Sequence, residues 1–492
     1  MTVTSTVRRT IAPAITAILA SLATAASAAL GADHGADPDT DLPNIVFMLA
    51  DDQGWNGLSV AMHPKVAASR GEIFHTPNLE KLAAAGMRFS SAYAPAPVCS
   101  PTRISLQTGK SPAQLHWTKA APPESGHPLL EPQLVKQIAD DEATISEILR
   151  KAGYTTAHYG KWHIAGGGPG RHGYDEHDGD TGNEQAFQFT DPNPVDIFGM
   201  ADRAKAFMAK NSKAGKPFFI QLSWNALHAS ENALKATLAK YERLTGSSGD
   251  KRTSTAAITE DLDTGVGRVL DAIDQLGLAD TTYVIYTSDN GSGGGGRRGG
   301  LSGGKGSVWE GGVRVPLIVR GPDVAANSWC DVPVVGYDLF PTFCEWAKVP
   351  KASLPKGLEG GSIAPLLAHD GRGEVQRPRE ELVFHFPHYQ SGNTPHSAIR
   401  IGDLKLLTFY EDDSVKLFNL ATDLGERNDL ATTMPAEATR LRQRLERYLA
   451  DVHAQLPTVN PRYDANAATA QPPARGGGGK GGMKRGRKEE RR

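Results

Sequence analysis

Residues 45–52 read Ile45-Val46-Phe47-Met48-Leu49-Ala50-Asp51-Asp52, six apolar residues without a break and then two carboxylates. A strand with one wet face alternates; an unbroken apolar run of this length fits a strand buried on both faces of a helix-covered, parallel sheet. The chain that follows keeps to that pattern. Thr76-Pro77 opens a helix that Gly86 ends, and Thr144 with Glu147 forms the capping box of another, stopped by Gly153. Thr155 to Tyr159 and Phe218 to Leu222 read as strands. Ile258, Leu262, Val266, Val269, Ile273 and Leu276 recur every three or four residues and predict a strongly amphipathic helix. Tyr283 to Thr287 and Val315 to Arg320 are further strands. Strand–helix alternation of this kind predicts an α/β domain built on a largely parallel sheet.

The pattern changes near residue 376. Leu382 to Phe386, Ser397 to Ile401, Leu404 to Tyr410 and Lys416 to Leu420 are short runs split by turn residues. A helix with Leu441, Leu445, Leu449 and Val452 on one face follows. This predicts a small C-terminal antiparallel sheet with one packed helix. A length of 492 residues accommodates that division, with residues 43–375 as the large domain and 376–460 as its companion. Residues 465–492 are rich in Gly and basic side chains and cannot build a core. Eight Lys or Arg against two Glu give Ala474 to Arg492 about +6, inside a chain whose formal net charge is −2. That balance argues against a nucleic-acid partner.

Arg8-Arg9, the apolar stretch Ile11 to Leu22 and the small residues Ala26-Ser27-Ala28 make residues 1–28 an expected signal peptide. The expected location is therefore periplasmic or secreted, by a route left open. No stretch reaches spanning length and the signal has no cysteine to lipidate, so no stable membrane anchor is expected.

Four of the strands end in polar residues. The first runs into Asp51-Asp52, the second into Gly160-Lys161-Trp162-His163, the third leads to His228, and the fourth runs into Asp289-Asn290-Gly291. Ligands of open parallel sheets bind beyond the carboxyl ends of the strands, so parallel neighbours would gather all four clusters on one edge. Each cluster alone also suits an ordinary turn. Together, Asp51, Asp52, Asp289 and Asn290 offer three carboxylates and an amide oxygen, a set that selects Ca²⁺ or Mg²⁺ over zinc. Lys161, His163 and His228 offer positive charge and proton transfer. Gly303-Gly304-Lys305-Gly306 presents Lys305 on a backbone that an anion can approach, or is simply a flexible loop.

Cys99-Ser100-Pro101-Thr102-Arg103 precedes a helical segment. Pro101 suits a first helical turn, where its missing N–H costs nothing, and a helix N-terminus favours an anion. Arg103 adds a planar fork of donors. Cys99 is one of only three cysteines, and the other two, Cys330 and Cys344, lie far downstream within one short stretch. Those two could pair after export, or stay reduced.

With these motifs assembled, the chain from Pro43 to Leu456 resembles the formylglycine-dependent (type I) sulfatases of the alkaline-phosphatase superfamily. The carriers are Cys99 to Arg103 with Leu106 and Thr108-Gly109-Lys110, then Gly153-Tyr154 through His163, Ser288 to Gly291, Gly303 to Gly306 and Trp309-Glu310-Gly311-Gly312. Gln107 and Tyr159 stand where the family has apolar or small residues, and His228 lacks the prolines that commonly flank it. The resemblance implies a large mixed, mostly parallel, alkaline-phosphatase-like sheet. It implies oxidation of Cys99 to formylglycine by a maturation enzyme, and a Ca²⁺ (or Mg²⁺) held by Asp51, Asp52, Asp289, Asn290 and residue 99. One hydroxyl of the hydrated aldehyde attacks the sulfur of a sulfate ester; Arg103, Lys161 and Lys305 stabilise the sulfuryl group. His228, with Lys305, protonates the leaving alcohol, and His163 deprotonates the second hydroxyl to expel sulfate.

The expected activity is hydrolysis of sulfate monoesters, with a sulfated carbohydrate as the expected substrate. Phosphate or phosphonate monoester hydrolysis in the same superfamily is the alternative. A non-catalytic sulfated-glycan-binding relative would be expected to lack Cys99, Lys161 or His163. His385, His388, Tyr389 and His396 are expected either to line the pocket mouth or simply to cap the C-terminal sheet.

Overall fold

A computed structural model describes residues 42–228, 230–293 and 298–464. The expected signal peptide and the basic tail lie outside the described residues, as does part of the Gly291 to Gly306 stretch.

The main sheet has eight strands. From one edge they are Ser328–Cys330, Met87–Phe89, Leu317–Arg320, Thr282–Ser288, Asn44–Ala50, Phe218–Ser223, Thr155–Gly160 and Glu176–His177. The four strands expected to carry chemistry are consecutive neighbours and all parallel. Leu317–Arg320 is antiparallel to both its neighbours, so the sheet is mixed but mostly parallel. Register decides what the strand ends can do. Ala50 pairs with Ser288, Leu49 with Ser223, and Gly160 with Ser223, so these strands stop within a residue of one another.

Both faces of the central strand are covered, as its unbroken apolar run requires. Val46, Met48 and Ala50 pack with Ile258, Leu262, Val266, Val269 and Ile273 of the Lys251–Gln275 helix. Ile45, Phe47 and Leu49 pack with Ile104, Ile145, Ile148 and Phe343 on the other side. The capping box at Thr144 and Glu147 is present, and Asp250 caps the long helix by accepting from the Thr253 N–H at 3.2 Å. The helix Ile197–Lys213, whose Ile197, Met200, Ala204 and Phe207 face the core, was not among the expected elements.

Leu382–Phe386, His396–Ile401, Leu404–Phe409 and Val415–Asn419 form a four-stranded antiparallel sheet in chain order. Leu441, Leu445 and Leu449 of the Pro435–Asp451 helix pack on one face of it, against Ile399, Leu406 and Leu417. Its other face meets Tyr93, Val308 and Val313 of the large domain. A fully buried ion cluster runs through this contact: Lys405 Nζ lies 2.8 Å from Glu310 and 2.9 Å from Glu426, and Arg314 Nε lies 2.7 Å from Glu310. Buried charges of this kind are tolerated because each has a partner.

Candidate active site

The carboxylate ends of the four parallel strands come together as their register requires. Asp51 and Asp289 are fully buried and continue neighbouring strands. The Asp52 N–H donates to Asp289 Oδ1 at 3.2 Å, and Asn290 Nδ2 donates to Asp52 Oδ1 at 2.7 Å. Lys161 follows Gly160, whose φ of +90° sets the chain across the end of the next strand; a Cβ there would stand 2.3 Å from the Ser223 carbonyl oxygen. The Lys161 N–H takes that carbonyl at 2.7 Å, and its ammonium reaches Asp51 Oδ2 at 2.5 Å.

Cys99 is the first residue of the helix Cys99–Thr108, one position further in than the sequence suggested. Pro101 lies in the first turn, and Gly109, with a φ of +70°, ends the helix. Thr102 fixes the approach by donating to the Ala96 carbonyl at 3.1 Å and accepting from the Ala96 N–H at 3.2 Å. Cys99 Sγ then lies 3.5 Å from Asp51 Oδ1 and 3.4 Å from Lys305 Nζ. Burial first, and Asp51 second, push this thiol up to about 12. A thiol held so firmly protonated is a poor nucleophile. Arg103 turns back from the same helix to grip Asp289 Oδ2 with Nε at 3.0 Å and a terminal nitrogen at 2.7 Å. Its other terminal nitrogen donates to the Lys161 carbonyl at 2.6 Å.

Lys305 is brought in by its loop. Its N–H donates to the Ser292 carbonyl at 3.1 Å, and the next N–H, of Gly306, donates to the Pro97 carbonyl at 2.9 Å, two residues before Cys99. Lys305 Nζ pairs with Asp52 Oδ1 at 2.6 Å. Burial works against its charge, but Asp52 keeps the ammonium well above its ordinary value.

Ligand atoms of Asp51, Asp52, Asp289 and Cys99 all lie within 4.8 Å of one another. Burial works against ionisation of Asp51, yet Lys161, His228 and Arg103 hold its carboxyl well below the usual range. Asn290 is fully buried and its Oδ1 has no hydrogen-bond partner among the described residues, although its Nδ2 has two. An orphaned buried acceptor beside three carboxylates fits an oxygen-ligated divalent cation.

His163, with a φ of +59°, is turned into the cleft by its N–H bond to the Thr181 carbonyl at 2.8 Å. Its Nδ1 lies 3.2 Å from the Ser100 hydroxyl. Burial, then Lys161 and Arg103, push the imidazole down to about 2, so it stands neutral. His228 lies on a turn tied to the backbone of Asp51. The Asp51 N–H donates to the Ala226 carbonyl at 2.8 Å, and the Asp51 backbone carbonyl accepts from the Leu227 N–H at 2.6 Å. These bonds do the holding in a turn that lacks flanking prolines. Burial lowers the His228 imidazole, with Asp51 pulling the other way.

Asp51, Asp52, Cys99, Arg103, Lys161, His163, His228, Asp289, Asn290 and Lys305 are thus brought together at one edge of the sheet. Gln107 and Tyr159 are accommodated by partners: Gln107 Nε2 donates to Gln221 at 2.8 Å, and the Tyr159 hydroxyl donates to Glu176 at 3.0 Å. Cys330 and Cys344 are buried and unbonded. The C-terminal histidines do not line the pocket mouth: His385, His388 and His396 are buried and spend their ring nitrogens on internal partners. Sequence reasoning missed Ser100, although it adjoins Cys99, and missed the pocket itself. A cavity of about 700 Å³ opens beyond Ser100 and His163, walled by Trp117, Lys119, Gln133 and Gln185. No helix among the described residues is long and apolar enough to cross a membrane.

The Sulfatase family model matches residues 43–349, and the model described as N-sulphoglucosamine sulphohydrolase, C-terminal, matches residues 304–455. A sulfatase of Formosa agariphila is 30% identical, covering 81% of this chain and 86% of its own. The N-acetylgalactosamine-6-sulfatase of Rattus norvegicus is 32% identical, covering 74% of this chain and 71% of its own. Among solved structures, that of Ps i-CgsB superimposes with a TM-score of 0.68 at 25% identity, covering 87% of this chain and 96% of the other.

Proposed function

This chain belongs to the sulfatase family, as a type I sulfatase of the alkaline-phosphatase superfamily that hydrolyses sulfate esters, and on that premise we propose that it removes sulfate from a carbohydrate by means of formylglycine made from Cys99. The observation that carries the formylglycine reading is the setting of Cys99. Its thiol is buried beside Asp51 Oδ1 at 3.5 Å and Lys305 Nζ at 3.4 Å, and burial first and Asp51 second push it up, a setting that does not favour a free thiolate and supports a modified side chain at this position. Formylglycine at this position supplies, as its hydrate, a hydroxyl nucleophile with a second hydroxyl beside it. The partner this requires is a maturation enzyme that oxidises Cys99. The Arg8-Arg9 and Ala26-Ser27-Ala28 pattern supports export.

Asp51, Asp52, Asp289, Asn290 and residue 99 fit Ca²⁺, with Mg²⁺ as the other hard cation. When bound, such an ion supplies Lewis acidity toward sulfate oxygens and lowers the pKa of a hydroxyl on residue 99. Lys161, Lys305 and Arg103 place three fixed positive charges around the position of the sulfuryl group. Preorganised charge is most effective there, because water is excluded and nothing need reorient during the reaction. Neutral His163 takes a proton from the side chain of residue 99, its ring oriented by the Ser100 hydroxyl at Nδ1. His228 gives a proton to the leaving alcohol oxygen, and the negative charge of a bound sulfate ester favours its protonated form.

The sulfated-carbohydrate reading is supported by the relatives, which include N-acetylgalactosamine-6-sulfatases at 31–32% identity. A cavity of about 700 Å³ next to His163 has room for sugar residues. Turnover of 4-nitrophenyl sulfate against 4-nitrophenyl phosphate, followed by a panel of sulfated hexosamines and disaccharides, tests both parts. Preference for the phosphate ester would overturn the first part, and no turnover of any sugar the second.

A further inference from the structure

The cavity beyond Ser100 and His163 has a wall with little regular structure. It starts at Trp117 and Lys119 and returns through Gln133 and Leu134. Between these points only Leu129–Leu130 joins a sheet, a two-residue pairing with Thr458–Val459. A segment of that kind needs another anchor to keep one shape.

The anchor is a buried cluster shared with the C-terminal subdomain. The side chains of Lys119, Glu131 and His388 are all fully buried. Lys119 Nζ donates to both Glu131 carboxylate oxygens at 3.0 Å and to the Tyr389 carbonyl at 2.7 Å. His388 Nδ1 donates to Glu131 Oε2 at 2.7 Å, which leaves Nε2 to accept from the Thr118 hydroxyl, also at 2.7 Å. Glu131 Oε1 accepts from the Glu124 N–H at 2.7 Å as well. Both ring nitrogens of His388 are therefore spent on the wall, at Thr118 and Glu131. The three ionisable side chains sum to neutrality with one negative carboxylate, one ammonium and a neutral ring. A buried network whose every member is satisfied rigidifies what it touches. None of these groups reaches the strand-end residues around Cys99.

We propose that His388, together with the Tyr389 carbonyl, is a positioning residue that sets the shape of the leaving-alcohol pocket through Glu131 and Lys119. The C-terminal subdomain thereby selects which sulfated sugar is accepted, while the strand-end residues set the rate of S–O cleavage. This rests on the reading above that the cavity receives the sugar.

His388→Leu is expected to raise KM for a sulfated disaccharide by about tenfold or more with little change in kcat. Both parameters for 4-nitrophenyl sulfate, whose small ring meets little of the wall, stay within about twofold on the same basis. His388→Asn, which keeps an amide donor near the place of Nδ1, restores most of the loss. Amide hydrogen exchange in residues 117–134 speeds up in His388→Leu and is unchanged in the Cys99–Thr108 helix. Should His388→Leu fail to fold, the near-isosteric Thr118→Val carries the same test through the Nε2 bond alone. An unchanged KM for the disaccharide overturns the proposal, and so does a loss of equal proportion on both substrates. If the unsubstituted enzyme turns over no sulfated sugar, the substrate reading above fails, and the exchange comparison alone decides the positioning role.

Discussion

The Sγ of Cys99 lies 3.5 Å from Oδ1 of Asp51, although 48 residues separate them in the chain. One stands on the first turn of a helix and the other just past the end of the central strand. The contact presents residue 99 to the position that the clustered carboxylates mark for a cation, and to the lysines that flank it. Cys99→Ala should therefore lower kcat by about a thousandfold or more while leaving the unfolding midpoint within about a degree. Substantial residual turnover by the alanine variant, confirmed free of unsubstituted enzyme, would be inconsistent with this reading.

The buried Oδ1 of Asn290, without a partner among the described residues, leads to a metal prediction. Chelation should abolish activity and lower the melting temperature, and Ca²⁺ should restore both, since a ligand that binds only the folded chain stabilises it. Asn290→Leu keeps the volume and removes the oxygen. Calorimetry should show its Ca²⁺ affinity about 10- to 100-fold weaker, by analogy with the cost of disturbing a metal site. Equal affinity in the two proteins would remove Asn290 from the ligand set.

A proton donor matters most where the leaving alcohol is a poor one. His228→Gln should reduce kcat on a sugar sulfate by about a hundredfold or more, and on 4-nitrophenyl sulfate by only a few-fold. This kcat signature separates His228 from His388, whose effect is expected in KM. Losses of the same size on both esters would assign the leaving-group proton elsewhere.

His385 and His396 give the fold a pH dependence with a definite sign. Burial pushes both imidazoles down to about 4. For His396 the neutral form is also what its partner requires, because Nε2 accepts from the Val308 N–H at 3.0 Å; His385 Nε2 donates to the Gln455 carbonyl at 2.9 Å. In the unfolded chain each takes a proton near pH 6.5, so folding excludes protons between those values. The stability this contributes is complete above about pH 6.5 and is lost as pH falls toward 4, by up to about 3 kcal/mol for each ring. Urea unfolding at pH 7.5 and pH 5 should show the loss, and His385→Gln should make the difference smaller. An unchanged difference would mean that His385 is not held neutral by the fold.

The parts of this molecule that were legible in sequence share one cause. Ile45 to Ala50 is apolar at every position because both its faces are covered, and its direction aims Asp51 and Asp52 at one edge. The other three strand ends could be added because parallel neighbours share that edge. What stayed hidden depends on contacts between distant segments. The antiparallel direction of Leu317–Arg320 is set by pairing with Met87–Phe89, a partner far away in the chain. The pocket wall at Trp117 and Lys119 has neither helical nor strand periodicity, being held by Glu131, His388 and Tyr389. The helix Ile197–Lys213 was overlooked even though its apolar spacing was there to be read. Whether His385, His388 and His396 lined the pocket mouth or capped the C-terminal sheet was open in sequence; burial places all three inside the subdomain, His388 against the back of the pocket wall.

The most direct test is the chemical state of residue 99 in working enzyme. Protein expressed in a host with formylglycine-generating machinery should be digested, and the peptide spanning residues 99–103 weighed and treated with an aldehyde-reactive hydrazide. The account predicts the mass of an aldehyde in place of the thiol, a hydrazone adduct, and specific activity that rises in proportion to the converted fraction. Fully active enzyme carrying only an unmodified Cys99 thiol would contradict it.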